Sequence, residues 1–281
     1  MNKENDSAEK GNKEKNTYTM YAKEAFRSGT SDHDEHNGNP DYWFVLLKDI
    51  TSIGGSSGDT AMADYDEKKW KNKVGLDFGC GRGRNVMNLS RLAKWKRLDG
   101  VDVSEGNIKS CKERFGLNFS SSSISSTPIL DMPPPTFFFY ENNGFDLREL
   151  KDNEYDFVMS TIVLQHTPVH FIRNNLLKEI FRVTKSGGIF SFQIGGAIDR
   201  WSSSGQPNKD IVNGVIDNYY DNDWSNESTN GNGGDVYINH PKETIVPELK
   251  EIGFIDITTE TNKAWMDANH TAWHYIRCIK P

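Results

Sequence analysis

From residue 73 onward, short apolar runs alternate with stretches in which apolar residues recur every three or four positions. That rhythm predicts strand, turn and helix in repetition, and so a mostly parallel sheet with helices on both faces. Residues 74–78 predict the first strand, and beyond a glycine-rich turn Val86, Leu89 and Leu92 fall at helical spacing. A second strand is expected at 98–103, after which Ser104 is placed to cap a helix carrying Ile108, Cys111 and Phe115 on one face. The run Phe137-Phe138-Phe139-Tyr140 predicts a third strand, and residues 155–163 a fourth. A helix at 171–183, striped by Ile172, Leu176, Ile180 and Val183, is expected to end at Gly187-Gly188 before a fifth strand at 189–194. A helix at 245–252 closed by Gly253, then strands at 254–258 and 271–279, complete the pattern.

The rhythm fails in three places, and these set the expected organisation. Residues 1–17 are almost wholly charged or polar and predict a disordered tail, because they bury too little to offset the entropy of ordering. Residues 18–60, with Tyr21, Phe26, Tyr42, Trp43 and Phe44 followed by a Ser/Gly-rich stretch, predict an N-terminal helical cap and a linker. The main domain is then 61–281, interrupted by a low-complexity insertion at 118–135 and by a longer one at 201–240. The second carries Tyr219, Tyr220, Trp224 and Tyr237 among many Asn, Ser, Gly and Asp residues, and reads as a lid or a disordered insert. A chain of 281 residues with 35% hydrophobic content suits one α/β core with these additions.

Composition removes several function classes. A net charge of −7 argues against a general polyanion binder, so nucleic acid is not the expected partner. The three cysteines, Cys80, Cys111 and Cys278, have no metal-ligand spacing and are odd in number, which suits reduced thiols and no metal site. No apolar run approaches the roughly 20 residues that span a bilayer, and the N-terminus is polar. A cytoplasmic protein without membrane contact is the expectation.

Candidate chemistry begins where the first strand ends in Asp77 and turns through Gly79, Gly81 and Gly83 into a helix. Glycines at such a turn let a ligand approach the backbone closely. A dinucleotide fingerprint would place its third glycine at position 84, which is Arg here. On spacing alone the turn could also serve no ligand. Nineteen residues beyond Gly83 the second strand ends in Asp102, where an acid can accept both hydroxyls of a ribose lying across the strand ends, or cap the next helix.

Together these segments resemble class I S-adenosylmethionine (SAM)-dependent methyltransferases, in their small-molecule branch. Val74-Gly75-Leu76-Asp77-Phe78-Gly79-Cys80-Gly81-Arg82-Gly83-Arg84-Asn85 is similar to the family's first motif, and Gly100-Val101-Asp102-Val103-Ser104 to its acidic second. Gly144-Phe145-Asp146-Leu147 resembles the segment after strand three, with Phe145 separating a usually adjacent Gly-Asp pair. Tyr155-Asp156-Phe157-Val158-Met159-Ser160 with Ile162-Val163-Leu164-Gln165-His166 resembles the fourth motif, and Lys185-Ser186-Gly187-Gly188-Ile189-Phe190 the fifth. The resemblance implies a Rossmann-like seven-stranded fold and SAM as cofactor. It also implies that Asp77 holds the methionine amino group and that Gly79, Cys80, Gly81 and Gly83 line the cofactor. Asp102 and Val103 would lie at the ribose, Asp146 and Leu147 at the adenine, and Ser160 near the methionine end. A turn or capping role is the alternative for Asp146. Cys80 is expected for its size rather than as a nucleophile.

Methyl transfer needs alignment and exclusion of water, and a general base where the acceptor is a hydroxyl. His166 and His170, just beyond strand four, are the candidate catalytic residues, with helix capping or sheet packing as the alternative. The 201–240 insertion has Lys209 against Asp210, Asp217, Asp221, Asp223, Glu227 and Asp235, a balance that suits a neutral or cationic acceptor, unless it is simply a solvated acidic loop. The expected function is methyl transfer from SAM to O, N or C of a small molecule. The alternatives are a protein or RNA methyltransferase on the same core, a nicotinamide-dependent oxidoreductase, and a non-catalytic SAM-binding protein.

Overall fold

A computed structural model describes residues 70–117, 135–167, 169–196, 219–220, 236, 238, 240–262 and 272–281. The expected tail at 1–17, the cap and linker at 18–60, and nearly all of the 118–135 insertion lie outside the described residues, as does most of 201–240.

The elements are β1 (Val74–Phe78), α1 (Arg84–Leu92), β2 (Arg97–Asp102), α2 (Glu105–Leu117), β3 (Thr136–Glu141), β4 (Tyr155–Ser160), a 3-10 turn (Leu164–His166), α3 (His170–Val183), β5 (Thr184–Gly196), α4 (Ile245–Ile252), β6 (Ile255–Asn262) and β7 (Ala272–Ile279). The strands form one seven-stranded sheet in the order β3-β2-β1-β4-β5-β7-β6. The β1 strand pairs in parallel with β2 and β4, and β7 runs antiparallel to β5 and β6 on either side of it. The strand order reverses between β1 and β4, and that switch point opens a crevice at the carboxyl ends of the central strands.

Alternation along the strands divides the core. Leu76, Phe78, Val158, Phe190, Phe192 and Ile276 face α3 and α4, while Phe157, Met159, Trp273 and Tyr275 join Val86 and Leu89 of α1 and Ile108, Cys111 and Phe115 of α2 on the other face. Every residue of β1 is buried, as a strand covered on both faces requires. The third strand is an edge, which explains why Phe138 in its apolar run is 45% exposed. Gly253 ends α4 in a left-handed conformation, its N–H donating to the carbonyls of Leu249 and Lys250.

Several strand boundaries differ from expectation, β6 running on to Asn262 rather than 258 among them. The α3 helix stops at Val183, as its 171–183 span predicts, but β5 begins at Thr184 rather than 189, because Thr184 already pairs with Tyr155 and its hydroxyl donates to the Ile180 carbonyl at 2.6 Å. Residues 185–188 then bulge from the ladder, pinned by hydrogen bonds from Gly187 N–H to the Lys280 carbonyl and from Lys280 N–H to the Gly188 carbonyl. The fourth strand stops at Ser160 rather than 163, because Ile162 turns to φ 56°.

A polar contact crosses three strands beneath this layer: the Tyr155 hydroxyl donates to Asp99 at 2.7 Å, and the Arg97 guanidinium bridges Asp99 and Glu154. Tyr155→Phe leaves one buried oxygen of Asp99 without its donor, and we expect a loss of about 1–3 kcal/mol in urea unfolding; an unchanged midpoint would show that the bond contributes nothing.

Candidate active site

The glycine turn is tied to the end of β2 by its own backbone. The N–H groups of Gly79 and Cys80 both donate to the Val101 carbonyl, at 2.8 and 3.1 Å, and Gly81 N–H donates to the Asp102 carboxylate at 2.9 Å. Gly79 has φ 77°, and a Cβ there would collide with the side chain of Val163. Gly81, at φ 53°, faces open space with nothing within 4 Å of a built Cβ. The first glycine is therefore set by packing across the crevice, while the second leaves backbone bare where a ligand approaches. Gly83 is the N-cap of α1 and gives it no side-chain cap, its own N–H donating to the Cys80 carbonyl at 2.9 Å.

A cavity of about 360 Å³ lies over this turn. Its wall is the turn from Phe78 to Arg82 with Arg84 and Asn85, the end of β2 with Asp102 and Val103, Asn107, Asn142 and Gly144, and the segment Thr161-Ile162-Val163 with His166 and Thr167. The dimensions suit a small-molecule ligand.

Two acids set the electrostatics. Asp77, fully buried, has neither carboxylate oxygen hydrogen-bonded. Burial pushes its carboxyl up to about 7, an effect the Arg84 guanidinium opposes and the Asp102 charge reinforces. Such an orphaned acid calls for a cationic donor. Asp102 is also raised by burial but is well satisfied, by the N–H groups of Ser104 (2.8 Å) and Gly81 and by the Asn107 amide at 3.3 Å.

Of the other expected residues, Cys80 and Val103 line the cavity, and Ser160 is buried beside it with an unbonded hydroxyl. Asp77, Gly83, Asp146 and Leu147 are not on the wall. Asp146 is clasped by Arg148 at 2.6 and 2.8 Å, which holds its carboxyl down to about 2, while the buried Leu147 packs into the core. Asn142 and Gly144 take the wall position on that loop instead. His166 faces the cavity, whereas His170 sits 3.1 Å from Glu248 and edge-on to Tyr219 and Tyr220.

Sequence reading missed three features. Asn85 donates to the Thr161 hydroxyl at 2.6 Å and so joins the start of α1 to the end of β4. Asn142 directly follows the last residue of β3, and a polar residue in that position beside Asp102 was the available signal. Ile162 at φ 56° has none, since a β-branched residue in the left-handed region is an outlier that only its surroundings impose. The 201–240 insertion also reaches the site: the fully buried Arg173 donates to the carbonyls of Thr167 (2.5 Å) and Tyr219, and Val236 N–H donates to the Gln165 carbonyl at 2.7 Å.

Sheet order, switch-point crevice and glycine turn together define a Rossmann-like class I methyltransferase fold. Residues 76–192 match the family described as a methyltransferase domain, and that stretch is a SAM-dependent methyltransferase domain, an enzyme domain whose cofactor is SAM. The chain is 24% identical over 200 residues to a sterol 24-C-methyltransferase of Yarrowia lipolytica, covering 71% of this chain and 43% of that protein. It is 28% identical over 116 residues to a probable methyltransferase of Aspergillus luteorubrus, covering 41% of this chain and 38% of the other. The chain thus spans under half the length of these curated relatives. Among solved structures, a SAM-dependent methyltransferase from Methanosarcina mazei shares the fold with a TM-score of 0.52 at 17% identity, covering 75% of this chain and 93% of that one. Phosphoethanolamine N-methyltransferase 2 of Haemonchus contortus, in complex with phosphomonomethylethanolamine and S-adenosylhomocysteine, shares it with a TM-score of 0.50 at 16% identity, over 75% and 49% of the two chains. The residues present fit such a cofactor: an orphaned buried carboxylate for a cation, and a carboxylate at the crevice wall for hydroxyls.

The raised Asp77 carboxyl favours the folded state fully below its unfolded value of 3.8, and that contribution is lost as pH rises through about 7. Relative to wild type, Asp77→Asn should therefore gain about 4 kcal/mol in unfolding free energy between pH 4 and pH 8. A pH-independent difference in chemical denaturation would contradict the raised carboxyl.

Proposed function

We propose that this protein transfers the methyl group of SAM to O, N or C of a small-molecule acceptor. The observation that carries the reading is the unpaired buried carboxylate of Asp77, one residue before the cavity wall begins at Phe78, together with Asp102 on that wall. Asp77 accepts hydrogen bonds from the methionine ammonium, and Asp102 those of the ribose hydroxyls. The backbone of Gly79, Cys80, Gly81 and Gly83 admits the cofactor closely, Val103 flanks the ribose, and Ser160 lies toward the methionine end. For the adenine we favour the turn Asn142 to Gly144, with Asp146 and Leu147 shaping the loop behind it.

SAM supplies a sulfonium-bound methyl whose leaving group is already activated, so the chain's task is alignment and exclusion of water. The segment from Thr161 to Thr167 forms the acceptor side, and Arg173 and Val236 brace it from behind. His166 is the general base where the acceptor is a hydroxyl. His170 supports the wall through Glu248 rather than meeting the acceptor. The acidic insertion favours a neutral or cationic acceptor. The sterol and phosphoethanolamine methyltransferases among the similar proteins support a small molecule over protein or RNA. The predicted setting is the cytoplasm.

Calorimetry should detect binding of SAM and S-adenosylhomocysteine, and Asp102→Ala should weaken it at least tenfold, since each charge-assisted hydrogen bond is worth about 1.5–3 kcal/mol. Equal binding by the mutant refutes the ribose assignment. With methyl-labelled SAM and a cell extract, label should enter the low-molecular-weight fraction, and His166→Ala should slow that transfer about 100-fold while leaving SAM affinity intact. Label confined to protein or RNA would overturn the small-molecule reading.

A further inference from the structure

Two cysteines that methyl transfer does not use meet under the cofactor turn. Cys111, fully buried on α2, donates its thiol to the Gly81 carbonyl at 3.2 Å, and the Cys80 sulfur lies 3.5 Å from the same oxygen. Both sulfurs thus converge on one carbonyl oxygen. Their surroundings hold them there: a Cβ at Gly100 would come within 2.8 Å of the Cys80 sulfur, and one at Gly83 within 3.2 Å of the Cys111 sulfur. The Cys80 side belongs to the cavity wall, so a small molecule entering the cavity reaches this pair before any other thiol of the described residues. Cys278 is buried on the opposite face of the sheet from this pair, its thiol directed to the Phe190 carbonyl.

We propose that Cys80 and Cys111 form a dithiol site for trivalent arsenicals, entered through the cofactor cavity. The step is a condensation: an arsenic oxide R–As=O and two S–H groups give a cyclic R–As(S–Cys80)(S–Cys111) and one water. Two As–S bonds form, the As=O bond is lost, both thiol protons leave in the water, and arsenic stays trivalent. No oxidant or reductant takes part. The neighbouring Cys111 and burial push the Cys80 thiol well above its usual value, so Cys80 stays protonated at neutral pH. Thiolate reactions such as alkylation and disulfide exchange are slow for such a thiol, whereas condensation with an arsenic oxide consumes neutral S–H. Closing the ring draws both sulfurs from the Gly81 carbonyl, whose own N–H is bonded to Asp102. Occupation of the site therefore excludes the cofactor.

The exclusion rests on the cofactor reading above; the dithiol site does not. The test treats the full-length protein with phenylarsine oxide under native conditions and follows the intact mass. The expected result is one phenylarsenic unit per chain that survives excess 2-mercaptoethanol and is removed by 2,3-dimercaptopropanol. Cys111→Ser should lose the monothiol-resistant adduct, with Cys111→Ala as the second variant should the serine protein fail to fold, and Cys278→Ala should keep it. With S-adenosylhomocysteine at 100 times its Kd, adduct formation should slow about 100-fold, since only that fraction of cavities stays open. The proposal is overturned if the folded protein forms no adduct, or if the adduct persists in a folded Cys111 variant. It is overturned in its route of entry if bound S-adenosylhomocysteine leaves the rate unchanged. Adduct formation in a protein that binds neither SAM nor S-adenosylhomocysteine would sink the cofactor reading and leave the dithiol site standing.

Discussion

Three consecutive backbone N–H groups of the turn after β1 are committed to the end of β2: Gly79 and Cys80 to the Val101 carbonyl, and Gly81 to the Asp102 carboxylate. This tether fixes the distance between the first two parallel strands where they end, and it takes the turn through left-handed backbone at Gly79, Gly81 and Gly83, with no room for a side chain at the first. The start of α1, the position of Asp77 below the turn and the wall position of Asp102 all follow from it. So does the juxtaposition of Cys80 with Cys111, because the turn hangs the first thiol over the helix that carries the second.

The site is costly for the fold. Asp77 is sealed from water with neither oxygen bonded, Ile162 holds a backbone conformation that a β-branched side chain resists, and Ser160 buries an unbonded hydroxyl. All three lie at the carboxyl ends of β1 and β4, next to the strand-order reversal. The stabilising parts are elsewhere: a two-faced apolar core, the Arg97–Asp99–Tyr155 contact, and the Lys280 ammonium, which donates to the carbonyls of Phe181 and Thr184 at the end of α3. A binding site that is polar and unsatisfied before its ligand arrives, carried by a well-packed scaffold, is the arrangement expected where ligand binding supplies the missing contacts.

The bracing of the acceptor side extends this division of labour into the 201–240 insertion. Tyr219 and Val236 are fully buried and reach the segment from Leu164 to Thr167 through Arg173 and through a direct backbone bond. Glu248 of α4 gathers the Tyr219 hydroxyl, the Asn174 amide and His170 on the far side of the same wall. These residues of the insertion are thus part of the core rather than a cover laid over it, and they tie α4 to the cavity wall through α3.

The amino-acid sequence by itself determined the order and type of the elements, the glycine turn, and both strand-end acids, because each depends on signals within a few residues: apolar periodicity, turn glycines, and an acid at the end of an apolar run. It also placed β1 within 74–78 and the closing helix at 245–252, where a buried strand and a left-handed glycine leave sharp local marks. Tertiary structure alone decided what each polar side chain meets. Asp146 follows the right strand yet turns to Arg148, His170 stands beside a candidate base yet is taken by Glu248, and Asn142 holds the wall position without a motif. The start of β5 at Thr184 likewise depended on Tyr155 and Lys280, 29 and 96 residues from Thr184 in sequence. Spacing along a chain specifies backbone periodicity, but the partner of a carboxylate or an imidazole is chosen by whichever distant strand or helix packs within 3 Å of it, and that choice is made only when the layers close.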